Sequence, residues 1–215
     1  MAHRGACCGL PFTAPFPLTT RMTVQAQKDA EGWTGVVLAG GRSSRMGRDK
    51  ALVDYHGRPL ILHGIDTLRP HVNEMLIIGD PLVNDHFGPL ALADDMPGNG
   101  PLGGIVTALR YAWHERLIIL ACDMPHVSAR FIATLKAALD DRHDAVVAQC
   151  DGRLEPLAAV YTRRCRDSFA SQVRAGKLKM SDAIELVHTR YVQVCPGEGE
   201  WPSDLFRNIN APSDL

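Results

Sequence analysis

Leu38-Ala-Gly-Gly-Arg-Ser-Ser-Arg-Met-Gly-Arg-Asp-Lys50 is the stretch on which the reading of this chain turns. It grows out of Gly35-Val-Val-Leu-Ala39, a short β-branched apolar run of the kind that forms a strand covered on both faces. Glycines 40, 41 and 47 follow. Without a Cβ, backbone can approach a ligand closely and adopt positive φ, so successive N–H groups can converge on phosphate oxygens. Arg45 and Lys50 add full charges to that cradle. The order of residues is neither Gly-x-x-x-x-Gly-Lys-Ser/Thr nor Gly-x-Gly-x-x-Gly, so the two commonest phosphate and dinucleotide loops are excluded. An ordinary strand-to-helix turn with solvated arginines remains the competing reading.

Working outward, the same alternation recurs. Ala51–His56 ends at the turn signal Gly57-Arg-Pro59, and Pro59 opens a predicted helix Leu60–Leu68. Met75–Gly79 reads as a second buried strand. Leu90–Ala93 leads into Asp94-Asp95, and the turn-rich Pro97–Gly104 precedes a predicted helix Ile105–Trp113 with Leu109 and Trp113 at core spacing. Leu117–Ala121 is the most apolar strand, ending in Cys122-Asp-Met-Pro125, with Ser128 capping a helix through about Leu139. Strands at Ala145–Ala148, Leu157–Tyr161 and Tyr191–Cys195 and helices near 162–175 and 180–188 complete the pattern. Arg163-Arg164-x-Arg166 reads as a solvated helix face.

Strands alternating with helices predict an α/β fold: a doubly wound, mostly parallel, Rossmann-like sheet with helices on both faces. Ligands of such sheets sit outside the carboxyl ends of the strands, where Gly40, Gly41, Gly79, Asp95 and Asp123 all fall.

Composition sets the limits. The chain has 215 residues, 46% of them hydrophobic, enough for one domain with a full core, predicted over 33–215. Residues 1–32, interrupted by Pro11, Pro15 and Pro17, read as an extension outside the fold, with Met22 as an alternative start. The formal net charge of −1 gives no global field for nucleic acid or anionic lipid, so any anion site is local. No apolar run reaches the roughly 20 residues of a membrane helix, which predicts a protein of the cytoplasm with no membrane partner. None of the six cysteines forms a Cys-x-x-Cys pair, and reduced thiols are expected. The histidines lack metal-ligand spacing.

Asp123, fixed at a strand end, suits magnesium, which takes a few hard oxygen ligands together with substrate phosphates. The bland alternative is a helix N-cap. Asp95 is the second carboxylate, with a self-bonded turn as its alternative. Lys50 and Arg45 suit charge on a triphosphate and its leaving group. The glycines of 98–104 fit either tight-turn scaffolding or close approach of a base or phosphate.

Leu-Ala-Gly-Gly-x-Ser-x-Arg-Met-Gly-x-Asp-Lys-Ala with Gly57-Arg-Pro-Leu60 and Cys122-Asp-Met-Pro125 closely resembles the signature of molybdenum cofactor guanylyltransferases. The resemblance runs from about Thr34 to the C-terminus, strongest at 38–60 and 94–125. It implies transfer of GMP from GTP to the terminal phosphate of molybdopterin, releasing pyrophosphate, with Mg2+ as cofactor. By the same resemblance Leu38, Ala39, Gly40 and Gly41 line the nucleotide, with Gly79, Asp95 and Asp123 also on it. Lys50 contacts its phosphates and Asp123 holds magnesium, with Lys50, Arg45 and Asp123 as the catalytic set. Asn208 and Asn210, from Asn208-Ile-Asn210-Ala-Pro, fall on the pterin side. Contact with molybdenum-insertion proteins or acceptor enzymes would follow. At Gly79 some relatives carry asparagine, so only backbone is offered there. Two other readings stay open: a sibling transferase using CTP or a sugar phosphate, against which Gly40 speaks because cytidylyltransferases usually place alanine there, and a nucleotide-binding regulator without turnover.

Overall fold

Val36, Val37, Leu38 and Ala39 point alternately to two different hydrophobic clusters, and that alternation makes a three-layered molecule. The computed structural model describes residues 32–40, 49–210 and 214, so the expected extension and the loop residues Gly41 to Arg48, with Arg45 among them, lie outside the described residues. Strand β1 is Trp33–Leu38. After a short 3₁₀ turn at Lys50–Leu52 come the two-residue strands β2 (Asp54–Tyr55) and β3 (Arg58–Pro59), joined by His56 and Gly57, both at positive φ. Helix α1 covers Leu60–Leu68, β4 Glu74–Ile78, α2 Pro81–Asn84, β5 Leu90–Leu92 and α3 Gly100–Tyr111. Then follow β6 (Arg116–Ala121), α4 (Ala129–Ala138), β7 (Ala145–Cys150) and β8 (Arg153–Thr162). The chain continues through α5 (Arg166–Arg174), α6 (Met180–Ile184) and β9 (Thr189–Gln193).

Seven strands form one sheet in the order β5-β4-β1-β6-β8-β7-β9. Every neighbouring pair is parallel except those made by β8, which runs against both β6 and β7. The doubly wound, mostly parallel expectation therefore holds, with one reversed strand. Its cause is local. Asp151 and Gly152 both take positive φ (49° and 79°), the two-residue hairpin geometry that turns a chain straight back on itself.

On one face Val37 and Ala39 meet Ile61, Ile65 and Leu68 of α1 and Phe131, Ile132 and Leu135 of α4. On the other, Val36 and Leu38 meet Leu102, Ile105 and Leu109 of α3 with Phe169 of α5 and Ile184 of α6. Most of these side chains are fully buried, each contributing about 1.5–3 kcal/mol relative to exposure. Ser128 accepts the Phe131 N–H at 3.2 Å and starts α4 as its sequence predicts.

Three expectations need correction. Helix α3 begins at Gly100, five residues before Ile105, and ends at Tyr111, leaving Trp113 41% exposed; Leu109 is buried as expected. Gly103 and Gly104 belong to its first turns because the helix lies hard against the chain: a Cβ at 103 would stand 2.8 Å from the Met96 carbonyl oxygen. Arg163 is no solvated residue. Its guanidinium donates to the Ala112 and His114 carbonyls at 2.8 and 3.0 Å, satisfying acceptors at the end of α3, and pairs with Glu115 at 2.7 Å. Cys150 and Cys195 form a disulfide, against the expectation of reduced thiols, because the parallel pairing of β7 and β9 brings their Cα atoms to 5.0 Å. Cys122 and Cys165 are free and buried.

Candidate active site

The carboxyl edge of the sheet gathers the predicted residues in two groups. The first is built on β6. Cys122 continues the strand by donating its N–H to the Leu38 carbonyl at 3.1 Å, and the chain then turns, with Met124 N–H on the Ala121 carbonyl at 3.3 Å. Asp123 is thereby fixed at the rim. Lys50 comes to it from the short 3₁₀ turn, whose start is held by the Asp49 carboxylate accepting the Ala51 N–H at 2.9 Å. The Lys50 ammonium donates to Asp123 Oδ2 at 2.6 Å and to Asn210 Oδ1 at 2.7 Å. Lys50 and Asp123 are only 17% and 21% exposed, so this ion pair is poorly screened. Asn208, two residues before Asn210, is exposed.

The segment carrying Asn210 is strapped down along its length. Leu205 and Phe206 join the α1/α4 core, with the Phe206 ring edge-on to Phe131 at a 5.1 Å centroid separation. Ile209 is buried against Val53, Tyr55 and Leu60 and donates its N–H to the Asp123 carbonyl at 2.9 Å.

The second group stands over β1, β4 and β5. Leu38 and Ala39 are buried, while Gly40 is exposed at the rim. Gly79 donates its N–H to the Leu92 carbonyl at 3.0 Å, and a Cβ there would lie 3.0 Å from Asn84 Nδ2 and 3.1 Å from the Ala39 Cβ. Position 79 thus offers backbone alone. Asp95 lies beyond β5, three strands from β6, roughly 14 Å away at the usual strand spacing of about 4.8 Å. Its carboxylate meets Arg110 at 2.9 Å and the Tyr111 hydroxyl at 3.4 Å, and its N–H is held by Thr107 Oγ1 at 3.1 Å. Asp94 is engaged in its own turn, accepting from Met96 N–H at 2.9 Å and Thr107 at 2.8 Å. Gly41 and Arg45 lie outside the described residues.

Burial, reinforced by the adjacent Asp123 carboxylate, pushes the Cys122 thiol up to about 12, so it is not a nucleophile at neutral pH. Among the described residues no three His, Cys, Asp or Glu side chains form a metal cage. A lone rim carboxylate beside a lysine fits a magnesium ion bound chiefly through substrate phosphates. Sequence reasoning missed Asp49, Thr107 and Tyr55. Only Asp49 carried a signal, as an Asx residue two positions before the N–H it caps.

A doubly wound sheet with a glycine-flanked first strand and a lysine–carboxylate pair at the carboxyl edge suits an enzyme that handles a phosphorylated nucleotide. The model of the MobA-like NTP transferase domain matches residues 35–190, and the chain belongs to that family. A relative from Bacillus licheniformis, named probable molybdenum cofactor guanylyltransferase, is 35% identical over 187 residues, 84% of this chain and 93% of the relative. The crystal structure of molybdopterin-guanine dinucleotide biosynthesis protein A from Archaeoglobus fulgidus superposes with a TM-score of 0.69 at 25% identity, covering 84% of this chain and 94% of that one. CMP:2-keto-3-deoxy-manno-octonic acid synthetase, solved with CTP, shares the fold at a TM-score of 0.64 and 16% identity over 84% of this chain and 94% of its own. Among the described residues no helix is long and apolar enough to cross a membrane.

Proposed function

We propose that the protein transfers GMP from GTP to the terminal phosphate of molybdopterin, releasing pyrophosphate and forming molybdopterin guanine dinucleotide. The observation that carries this reading is the Lys50–Asp123 pair at 2.6 Å, set where β6 leaves the sheet in a chain of this family. A terminal phosphate oxygen of the pterin attacks the α-phosphorus of GTP in line. The new P–O bond forms as the bond to the bridging oxygen breaks, and its electron pair leaves with pyrophosphate. The nucleophile is already anionic, so no general base is required, and what remains is positioning and charge stabilisation.

Lys50 supplies the positive charge. Its ammonium, divided between Asp123 and Asn210, is a cation at this end of the edge for a phosphate oxygen to meet. Asp123 is the residue to hold magnesium, which when bound would neutralise triphosphate charge. Backbone at Gly40 and Gly79 lets the nucleotide lie close over β1 and β4, with Arg45 on the leaving group, Asp95 beyond, and the strap with Asn208 and Asn210 on the acceptor side. The test is pyrophosphate release with each of the four nucleoside triphosphates, with and without molybdopterin and magnesium. Turnover with GTP that requires both additions is expected. Preference for CTP, or no pyrophosphate from any pair, would overturn the reading.

A further inference from the structure

The three segments that meet at Lys50 meet a second time, a few residues further along each. Tyr55 lies five residues after Lys50, His126 three after Asp123, and Asp204 six before Asn210. His126 joins them: Nε2 lies 2.9 Å from the Tyr55 hydroxyl and Nδ1 lies 2.9 Å from Asp204 Oδ2. A neutral imidazole satisfies both contacts, donating Nδ1–H to the carboxylate and accepting the Tyr55 hydroxyl proton at Nε2. The His126 side chain is 23% exposed, while the Asp204 carboxylate at the other end of the bridge is 45% exposed. Tyr55 is itself fixed, since its ring packs on Ile209 and its carbonyl is bonded to His63 Nε2 at 3.0 Å.

We propose that His126 is a positioning residue that sets the strap 202–210 so that Asn210 reaches Lys50, and that through the strap it tunes affinity for the acceptor more than for the nucleotide. The strap closes over the β6 end of the edge, two strands from Gly79, so its loosening falls more on the acceptor side than on the nucleotide side. The assignment of those two sides rests on the guanylyl-transfer reading above.

The experiment compares wild type, H126A, Y55F, N210A and H126A/N210A in initial-rate kinetics, with GTP and molybdopterin each varied at saturating levels of the other. H126A is expected to raise the KM for molybdopterin about tenfold, the effect of one hydrogen bond of ordinary strength, with a smaller rise in the KM for GTP. Y55F, which keeps the ring, moves it in the same direction by about threefold. In the double variant the H126A substitution adds nothing to N210A, because both act through the same strap. Independent of turnover, amide exchange at Ile209 speeds up in H126A and Y55F. Multiplying effects in the double variant, equal rises in both KM values, or unchanged Ile209 exchange would each overturn the proposal. Wild-type protein inactive with GTP and molybdopterin would overturn the functional reading instead, leaving Ile209 exchange to decide the strap.

Discussion

Replacing Lys50 by methionine removes its charge and keeps most of its packing volume. At about 4 Å and an effective dielectric of ~20, one lysine acting on one phosphate charge is worth about 4 kcal/mol. At 1.36 kcal/mol per decade this corresponds to a loss of about 10³ in kcat/KM. The stability change is smaller. Exposed ion pairs contribute ~0–1 kcal/mol and breaking buried ones costs ~3–5, so a pair about one-fifth exposed is placed at ~1–2 kcal/mol. That leaves the variant folded, because domains of this kind have a stability of about 5–15 kcal/mol. Urea unfolding followed by circular dichroism measures the second quantity, and pyrophosphate release with GTP and molybdopterin the first. A folded K50M variant retaining activity within tenfold of wild type would refute the assigned role. So would a stability loss large enough to unfold it, since the pair would then be structural.

Gly40→Ala tests base choice directly: among the described residues the added Cβ meets only the Ile78 carbonyl oxygen, at 3.8 Å, so stability should change by no more than about 0.5 kcal/mol. Relative kcat/KM for GTP over CTP should fall at least tenfold, and an unchanged ratio would remove Gly40 from the base pocket. The free thiols give a pH prediction, since burial pushes both Cys122 and Cys165 from 9.0 up to about 12. The unfolded chain then loses these protons near pH 9 while the folded one keeps them, so stability is full below pH 9 and declines as pH rises toward 12. Urea midpoints between pH 8 and 10.5 should show that decline, reduced in C165S, and rapid modification of both thiols in folded protein at pH 8 would contradict it.

The chain announces most of its sheet. Buried strands such as Val36–Leu38 and Leu117–Ala121 are apolar on both faces, and helix α1 lies where Pro59 and the following periodicity put it. Asp123 was legible because a charge directly after a buried strand has few places to go. The reversal of β8 was not foreseen, although Asp151-Gly152 is a hairpin dipeptide. Gly100–Gly104 looked like loop because glycine disfavours helix, yet contact with Met96 and Leu38 required small residues there. The Cys150–Cys195 bond and the His126 bridge had no local signature, since both depend on which strands and segments finally lie side by side.

Lys50 and Asn210 are 160 residues apart, and their contact carries a consequence for biosynthesis. At roughly 5–20 residues per second, a ribosome needs on the order of 8 to 32 s after Lys50 to reach Asn210. During that interval β1, β4, β5 and β6 can already be synthesised, exposing Lys50 and Asp123 without the strap that closes over them. A late-made segment is therefore the one that completes the site, so a chain interrupted before residue 210 lacks the Asn210 contact to Lys50.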